Sequence, residues 1–247
     1  MNKFGLVGYP LTHSFSKKFF TEKFSAENID AEYVNFEIDS IEKFPALATS
    51  NPDLKGMNVT IPYKEQVIPY LNELDDAARE IGAVNTIRVE RSERGVYLKG
   101  FNTDVYGFSE SLKPFLKPHH TKAIILGTGG AAKGVIWALK QLNIEPKVVS
   151  RTPKDESQIS YEQLSKSIME EHTIIINTTP LGTFPKVEGC PGIPFEYISE
   201  KHLLYDLVYN PEVTEFLRRG KAQGAAIKNG LEMLHLQALK AWEIWNR

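Results

Sequence analysis

Gly127, Gly129 and Ala132 fill a G-x-G-x-x-A pattern between the apolar run Ala123-Ile124-Ile125-Leu126 and a helical pattern over 131–142. The chemistry suited to that spacing is phosphate binding. Glycine permits the tight turn and lets backbone N–H groups approach a pyrophosphate, and the start of a helix adds unpaired donors and partial positive charge. The bland alternative is a tight turn with no ligand. The next strand pattern ends in Val148-Val149-Ser150-Arg151-Thr152-Pro153-Lys154. A dinucleotide fold that prefers NAD places Asp or Glu there, to accept from the ribose 2′-OH. Here Arg151 offers a planar fork of donors suited to a 2′-phosphate, with Ser150, Thr152 and Lys154 beside it. The expected cofactor is NADP rather than NAD, against the alternative of a solvated surface arginine. A third strand pattern ends in Asn177-Thr178-Thr179-Pro180, which is either an ordinary turn or a set of small polar groups at the carboxyl edge of a sheet, where ligands of open α/β folds sit.

The first half of the chain carries a different polar set. Ser14 and Ser16 stand at the expected start of a helix, where their hydroxyls and the free N–H groups could hold a carboxylate, or Ser14 could simply cap the helix. Lys64 lies three residues beyond the apolar end of a strand and follows Pro62, a good helix opener. Asn85 presents an amide near a strand start, and Asp104 a carboxylate at the head of a helix, where Asp is also a normal cap. Each of these taken singly reads as a solvated or capping residue; their joint occurrence at strand ends points to a site. His13 has no second histidine at metal-ligand spacing, so no metal site is expected.

The elements that must position these residues alternate. Strand-like runs are expected at 4–8, 33–38, 57–60, 84–89 and 96–101, with helical spacing at 14–28, 41–49 and 75–81. A second series has strands at 122–126, 147–150, 173–177, 203–207 and 225–228, and helices at 131–142 and 213–223. Strands alternating with helices imply parallel sheets, and two such series imply two α/β domains. A helix over 105–116 leads into the second series, and a terminal helix over 230–245 is expected to pack back on the first domain.

Composition agrees with this reading. The 247 residues allow one large domain or two small ones. Hydrophobic residues at 42% are enough for a core and exclude a disordered or fibrous chain. A net charge of −2 argues against a general nucleic-acid binder. One cysteine, Cys190, builds neither a disulfide framework nor a thiolate metal site. No apolar run reaches membrane-spanning length and no leader segment is evident, so a cytoplasmic protein is expected.

Taken together the motifs resemble the shikimate dehydrogenase family. The residues that carry the resemblance are Gly8-Tyr9-Pro10 with Ser14-Phe15-Ser16, Asn58-Val59-Thr60-Ile61-Pro62-Tyr63-Lys64, Gly82-Ala83-Val84-Asn85-Thr86 and Asn102-Thr103-Asp104. In the second half they are the glycine loop, Ser150-Arg151-Thr152, Asn177-Thr178-Thr179-Pro180, Tyr205-Asp206-Leu207-Val208-Tyr209-Asn210-Pro211, and Asn229-Gly230-Leu231-Glu232-Met233-Leu234 with Gln237. They follow the family's order over nearly the whole chain. The N-V-T-x-P-x-K and G-A-V-N-T segments are far more specific than the glycine loop. The pattern departs from the family at Lys17, Phe20, Lys154 and Thr183.

The resemblance implies NADP-linked reduction of 3-dehydroshikimate to shikimate, in aromatic amino-acid biosynthesis. It implies an α/β fold of two domains with an active-site cleft between them: a substrate-binding domain of residues 1–104 plus 229–247, and a Rossmann-type NADP-binding domain of residues 105–228. By the same resemblance Ser14 and Ser16 hold the substrate carboxylate, and Thr60, Asn85, Asp104, Tyr209 and Gln237 contact its carboxylate or hydroxyls. Lys64 becomes the acid–base residue, coupled to Asp104, and also touches the substrate. Gly127, Thr128, Gly129, Gly130 and Ala131 bind the pyrophosphate; Ser150, Arg151, Thr152 and Lys154 the 2′-phosphate; Thr178, Leu207 and Gly230 complete the cofactor site, the last two at the nicotinamide. The partners are small molecules, without nucleic acid or membrane, in a monomer or homodimer. A quinate/shikimate dehydrogenase and a non-catalytic NADP-sensing protein on the same scaffold are the alternatives; the presence of both Lys64 and Asp104 disfavours the second.

Overall fold

The structure is a computed structural model that describes residues 1–11, 15–93 and 95–247. The chain divides into two compact units, one of 1–104 and 237–247, the other of 105–236.

The first unit contains β1 (Asn2–Gly8), α1 (Phe15–Ala26), β2 (Ala31–Glu37), α2 (Phe44–Ser50), β3 (Leu54–Val59), β4 (Glu73–Leu74), α3 (Asp76–Ile81), β5 (Thr86–Ser92) and β6 (Gly95–Phe101). Its six strands form one sheet in the order β2-β1-β3-β5-β6-β4. β1 pairs in parallel with β2 and β3, but β5 runs antiparallel to both β3 and β6. The sheet is therefore mixed, where the alternation of elements predicts a parallel one. The reason is the shortness of the β5–β6 connection. A parallel pair needs a crossover of a dozen or more residues, so strands ending at Ser92 and restarting at Gly95 must form a hairpin. Gly95, at φ +114°, takes a conformation that other residues rarely adopt.

The second unit contains α4 (Asp104–Leu112), whose first residue belongs to the first unit, then β7 (Lys122–Leu126), α5 (Gly130–Gln141), β8 (Glu145–Val149), β9 (Gln158–Ile159), α6 (Lys166–Glu171), β10 (Ile174–Asn177), β11 (Leu203–Asp206), α7 (Glu215–Ala222), β12 (Ala226–Asn229) and the start of α8 (Leu231–Trp245). Its strand order is β12-β11-β10-β7-β8-β9, every pair parallel. Renumbered within the unit this is 3-2-1-4-5-6, the order of the dinucleotide-binding doubly wound sheet. Ile174, Ile175 and Ile176 of β10 and Ala123 to Leu126 of β7 are all buried, as expected of central strands covered on both faces.

Two cores follow. In the first unit Phe20 and Phe24, one turn apart on α1, pack with Phe4, Tyr33 and Trp245. Phe20 stacks on Tyr33 with ring centres 4.8 Å apart, and Phe4 on Trp245 at 4.9 Å. The Trp245 indole N–H donates to Ile87 O at 3.0 Å. This is why the chain re-enters the first unit at Gln237 and not at Asn229: α8 starts directly after β12, and only from Ala238 onward do its buried residues join the aromatic core. In the second unit Ile124, Val149, Ile175, Leu204 and Phe216 form the core between the sheet and its helices.

No α-helix follows Pro62; residues 61–67 make turns, with Tyr63 N–H donating to Thr60 O and Val67 N–H to Tyr63 O, and a single 3-10 turn follows at Ile68–Tyr70. Pro69, a few residues on, forbids a continuous helix there. The expected helix over 105–116 stops at Leu112, ahead of a tight turn containing Pro114. β4 and β9, two residues each, and the six-residue α6 are too short to announce themselves by periodicity.

Candidate active site

In the first sheet, register gathers the polar set. β1 and β3 are parallel with Val7 opposite Val59, so the segments after Gly8 and after Val59 leave the sheet at one edge. β5 is antiparallel, with Thr86 opposite Asn58, so its beginning at Asn85 lies at that same edge. β6 ends opposite Thr86 at Phe101, which brings Asn102, Thr103 and Asp104 there as well. Four segments scattered over a hundred residues thus meet through strand pairing.

Within this cluster Lys64 Nζ donates to Asp104 Oδ2 at 2.7 Å, and the two side chains are 34% and 29% exposed. Asp104 occupies the first turn of α4, where the helix start favours a carboxylate. The main chain holds Lys64 from the other side, its carbonyl accepting from Val84 N–H at 2.7 Å.

Asn85 is 3% exposed and spends its carbonyl on the neighbouring loop: Oδ1 accepts from Thr103 N–H at 2.7 Å and from Thr103 Oγ1 at 3.1 Å. Thr103 Oγ1 also lies 3.5 Å from Gln237 Oε1 and 3.1 Å from Thr86 Oγ1. Beneath these, the Tyr33 hydroxyl donates to Asn58 Oδ1 at 2.7 Å, and Asn58 Nδ2 donates to Thr86 Oγ1 at 3.2 Å and to Asn85 O at 3.3 Å. Burial pushes the Tyr33 phenol well above its ordinary range, against the pull of a hydrogen bond with Ser16. Buried polar side chains of this kind must be satisfied, and linked together they fix one arrangement. Tyr33, Asn58, Thr86 and Thr103 were assigned no role on sequence grounds; for Asn58, Thr86 and Thr103 the signal was polar residues near the ends of otherwise apolar strands, and Tyr33 in mid-strand gave none.

Of the residues expected to hold the substrate, Ser16, Thr60, Lys64, Asn85, Asp104 and Gln237 belong to the first unit. Ser14 lies outside the described residues. Tyr209 belongs to the second unit, on the segment after β11, and is exposed.

In the second sheet one register row runs Val149, Leu126, Asn177, Asp206, Asn229 across β8, β7, β10, β11 and β12. The residues expected at the cofactor follow that row: Ser150, Gly127, Thr178, Leu207 and Gly230 are each the next residue along. Gly127 has φ +112°, and a Cβ there would stand 2.9 Å from Thr178 Oγ1, so glycine is required for both reasons. Thr178 N–H and Oγ1 both donate to Leu126 O, at 3.0 and 2.8 Å, which ties the two loops together.

Gly129 and Gly130 open α5 with no side-chain cap, and a Cβ on either would meet nothing within 4 Å. Uncapped donors beside open space are what a phosphate needs. At the end of β8, Arg151, Thr152 and Lys154 are exposed. The next acid, Asp155, accepts from Ser157 N–H at 2.9 Å, and bonds to Ser157 and its own loop hold its carboxyl below the usual range. It is committed to its own turn, while Arg151 faces solvent near Tyr161. Gly230 packs against the backbone of Leu207, where any Cβ would overlap the Leu207 carbonyl.

A family profile described as the shikimate dehydrogenase substrate binding domain matches residues 6–87. The shikimate dehydrogenase (NADP(+)) of Methanosphaera stadtmanae is 37% identical over 98% of this chain and 90% of that protein. The chain belongs to the shikimate dehydrogenase family. Its likeness to the protein of the same name from Clostridium beijerinckii is 40% identity over 99% of this chain and 92% of the relative. Among solved structures, the shikimate 5-dehydrogenase of Thermus thermophilus, in complex with NADP(H) and shikimate, superposes with a TM-score of 0.84 at 31% identity, covering 99% of this chain and 93% of that one. The specific segments around Lys64 and Asn85 lie within the profile match; the glycine loop and Arg151 lie beyond it, in the stretch covered by the full-length relatives and solved structures. Among the described residues no helix is long and apolar enough to cross a membrane, and no cluster of three or more metal-ligating side chains is found.

Proposed function

We propose that this chain is an NADP-dependent shikimate dehydrogenase that interconverts 3-dehydroshikimate and shikimate. The observation that carries the reading is the Lys64–Asp104 contact of 2.7 Å at an edge built from the family's most specific segments.

The glycine loop fits a dinucleotide, since Gly129 and Gly130 leave space and unpaired donors where a pyrophosphate would lie. Gly127, Thr128, Gly129, Gly130 and Ala131 would hold it, Ser150, Arg151, Thr152 and Lys154 the 2′-phosphate, and Thr178, Leu207 and Gly230 the nicotinamide end. Reduced nicotinamide, when bound, supplies the hydride that ketone reduction needs. The protein's task is the proton and the geometry. Lys64 Nζ donates a proton to the oxygen that was the ketone and takes one from the hydroxyl in the reverse direction. Asp104 holds the ammonium in place and opposes its charge. Asn85 Nδ2 and Thr60, with Gln237 and Tyr209, address the substrate's hydroxyls, and Ser14 and Ser16 its carboxylate.

A domain made of the N-terminal portion with the C-terminal helix binds substrate, and the intervening portion binds NADP. The same reading makes the protein a cytoplasmic monomer or homodimer working on small molecules; its net charge of −2 gives it no general affinity for nucleic acid. Purified protein mixed with shikimate and NADP⁺ should show the absorbance of reduced nicotinamide growing with time. No growth would favour a sensor without turnover, and faster growth with quinate would favour the quinate-active alternative.

A further inference from the structure

Asp206 is the one acid in the last register row of the second sheet, and its side chain is 0% exposed. Three donors converge on it. Asn177 Nδ2, from the adjacent strand, reaches Oδ1 at 2.9 Å, and Val208 N–H reaches the same oxygen at 3.0 Å. Thr214 Oγ1 reaches Oδ2 at 2.6 Å. The other end of the Asn177 amide continues outward: its Oδ1 accepts from Thr179 N–H at 3.0 Å and from Thr179 Oγ1 at 2.7 Å. Gly182, at φ +86°, packs on Thr214, a Cβ there lying 3.4 Å from Thr214 Cβ. The strand-end segments 178–182 and 207–214 therefore share a single anchor. Those segments carry Thr178, Leu207 and Tyr209.

We propose that Asp206 is a positioning residue for cofactor binding: its carboxylate locks the segment after β10 to the segment after β11, and so sets Thr178 and Leu207 for the nicotinamide end of the dinucleotide. An acceptor-only group suits the place. All three partners donate to it, whereas an amide keeps one acceptor oxygen, so its NH2 would meet Thr214 Oγ1 and turn that hydroxyl from donor to acceptor. A lone buried carboxylate is costly to keep without a cation, and apolar packing of the same volume would fill the space without that cost. Retaining the acid where it costs stability points to what the two segments must hold. The inference rests on the NADP reading given above.

The test uses full-length protein and steady-state kinetics with shikimate and NADP⁺, alongside NADPH fluorescence titration and thermal melting. In Asp206→Asn the KM for NADP⁺ and the Kd for NADPH should rise at least fivefold. The KM for shikimate should rise less than the KM for NADP⁺, since of the residues assigned to shikimate only Tyr209 lies on a segment that Asp206 anchors. A folded Asp206→Asn protein with wild-type KM and Kd for the cofactor would overturn the proposal, even if its melting temperature fell. If that variant does not fold, Thr214→Val, which removes one donor, should raise the NADPH Kd, and Thr214→Ser, which restores the hydroxyl, should bring it back. Equal Kd values for Val, Ser and wild type would overturn the proposal equally. Wild-type protein that neither binds NADPH nor turns over would instead sink the underlying functional reading.

Discussion

Lys64 and Asp104 are 40 residues apart in sequence, yet their charged ends meet at 2.7 Å. Nothing local joins them. Lys64 leaves the sheet at the end of β3, and Asp104 starts the helix after β6; the antiparallel insertion of β5 between those two strands makes β3 and β6 end at the same edge. The buried bonds from Asn85 to Thr103 then fix the residue just before Asp104. The reversal of β5 also sets Asn85, the residue before it, at that edge; with β5 parallel to β3, Asn85 would lie at the opposite one.

Arg151 is expected to decide between the two nicotinamide dinucleotides. It stands exposed beyond β8, with the following acid tied into its own turn. A hydrogen bond to a charged group contributes about 1.5–3 kcal/mol. Arg151→Ala should therefore raise the KM for NADP⁺ roughly tenfold or more and leave that for NAD⁺ unchanged. Equal changes for both cofactors, or none, would remove Arg151 from 2′-phosphate recognition.

Gly230→Ala tests the close approach of two strand ends. The added methyl would overlap the Leu207 carbonyl, so β11 and β12 must separate at their carboxyl ends. Overpacking of this kind costs about 1–3 kcal/mol. The expected outcome is a lower melting temperature together with weaker NADPH binding. An alanine variant with unchanged melting and unchanged binding would contradict the tight packing.

Two buried groups give stability opposite pH trends. Burial pushes the Asp206 carboxyl up to about 6, against the Thr214, Val208 and Asn177 hydrogen bonds. The unfolded chain's aspartate titrates near 3.9, so the folded state takes up the proton first as pH falls. Asp206 therefore adds stability at low pH that is lost as pH rises through about 6. Burial also pushes His120 below its ordinary value, helped by the nearby His119, Lys117 and His202 and opposed by its bond to Lys201 O. With a depressed folded value, its stabilising contribution is present above about 6.5 and fades as pH falls below that. Urea unfolding of wild type and Asp206→Asn separates the two. Relative to the variant, wild type should gain about 2 kcal/mol between about pH 7.5 and pH 4. A constant difference across that range would contradict the assignment.

Much of this was legible beforehand, for physical reasons that can be named. The second sheet's strands are short apolar runs ended by Gly127, Ser150, Thr178 and Leu207, so their edge residues could be read from the break in hydrophobicity. The reversal of β5 left a weaker trace, a polar turn with Gly95 between two strand patterns, and the expectation of parallel pairing overrode it. The lack of a continuous α-helix after Pro62 involves Pro69 further along, which a reading of Lys64 with its immediate neighbours did not weigh. Asp206 and Thr103 were present in recognised segments, but their roles come from cross-strand neighbours that no linear spacing reveals.

The most direct measurement is the kcat of Lys64→Ala against wild type, with shikimate and NADP⁺ both saturating and folding verified by thermal melting. Loss of a general acid–base group costs about 10²–10⁴ in rate. The expected result is a fall of that size with the protein still folded and still binding NADPH. A kcat within threefold of wild type would contradict the placement of the proton on Lys64, and with it the mechanism built on the Lys64–Asp104 pair.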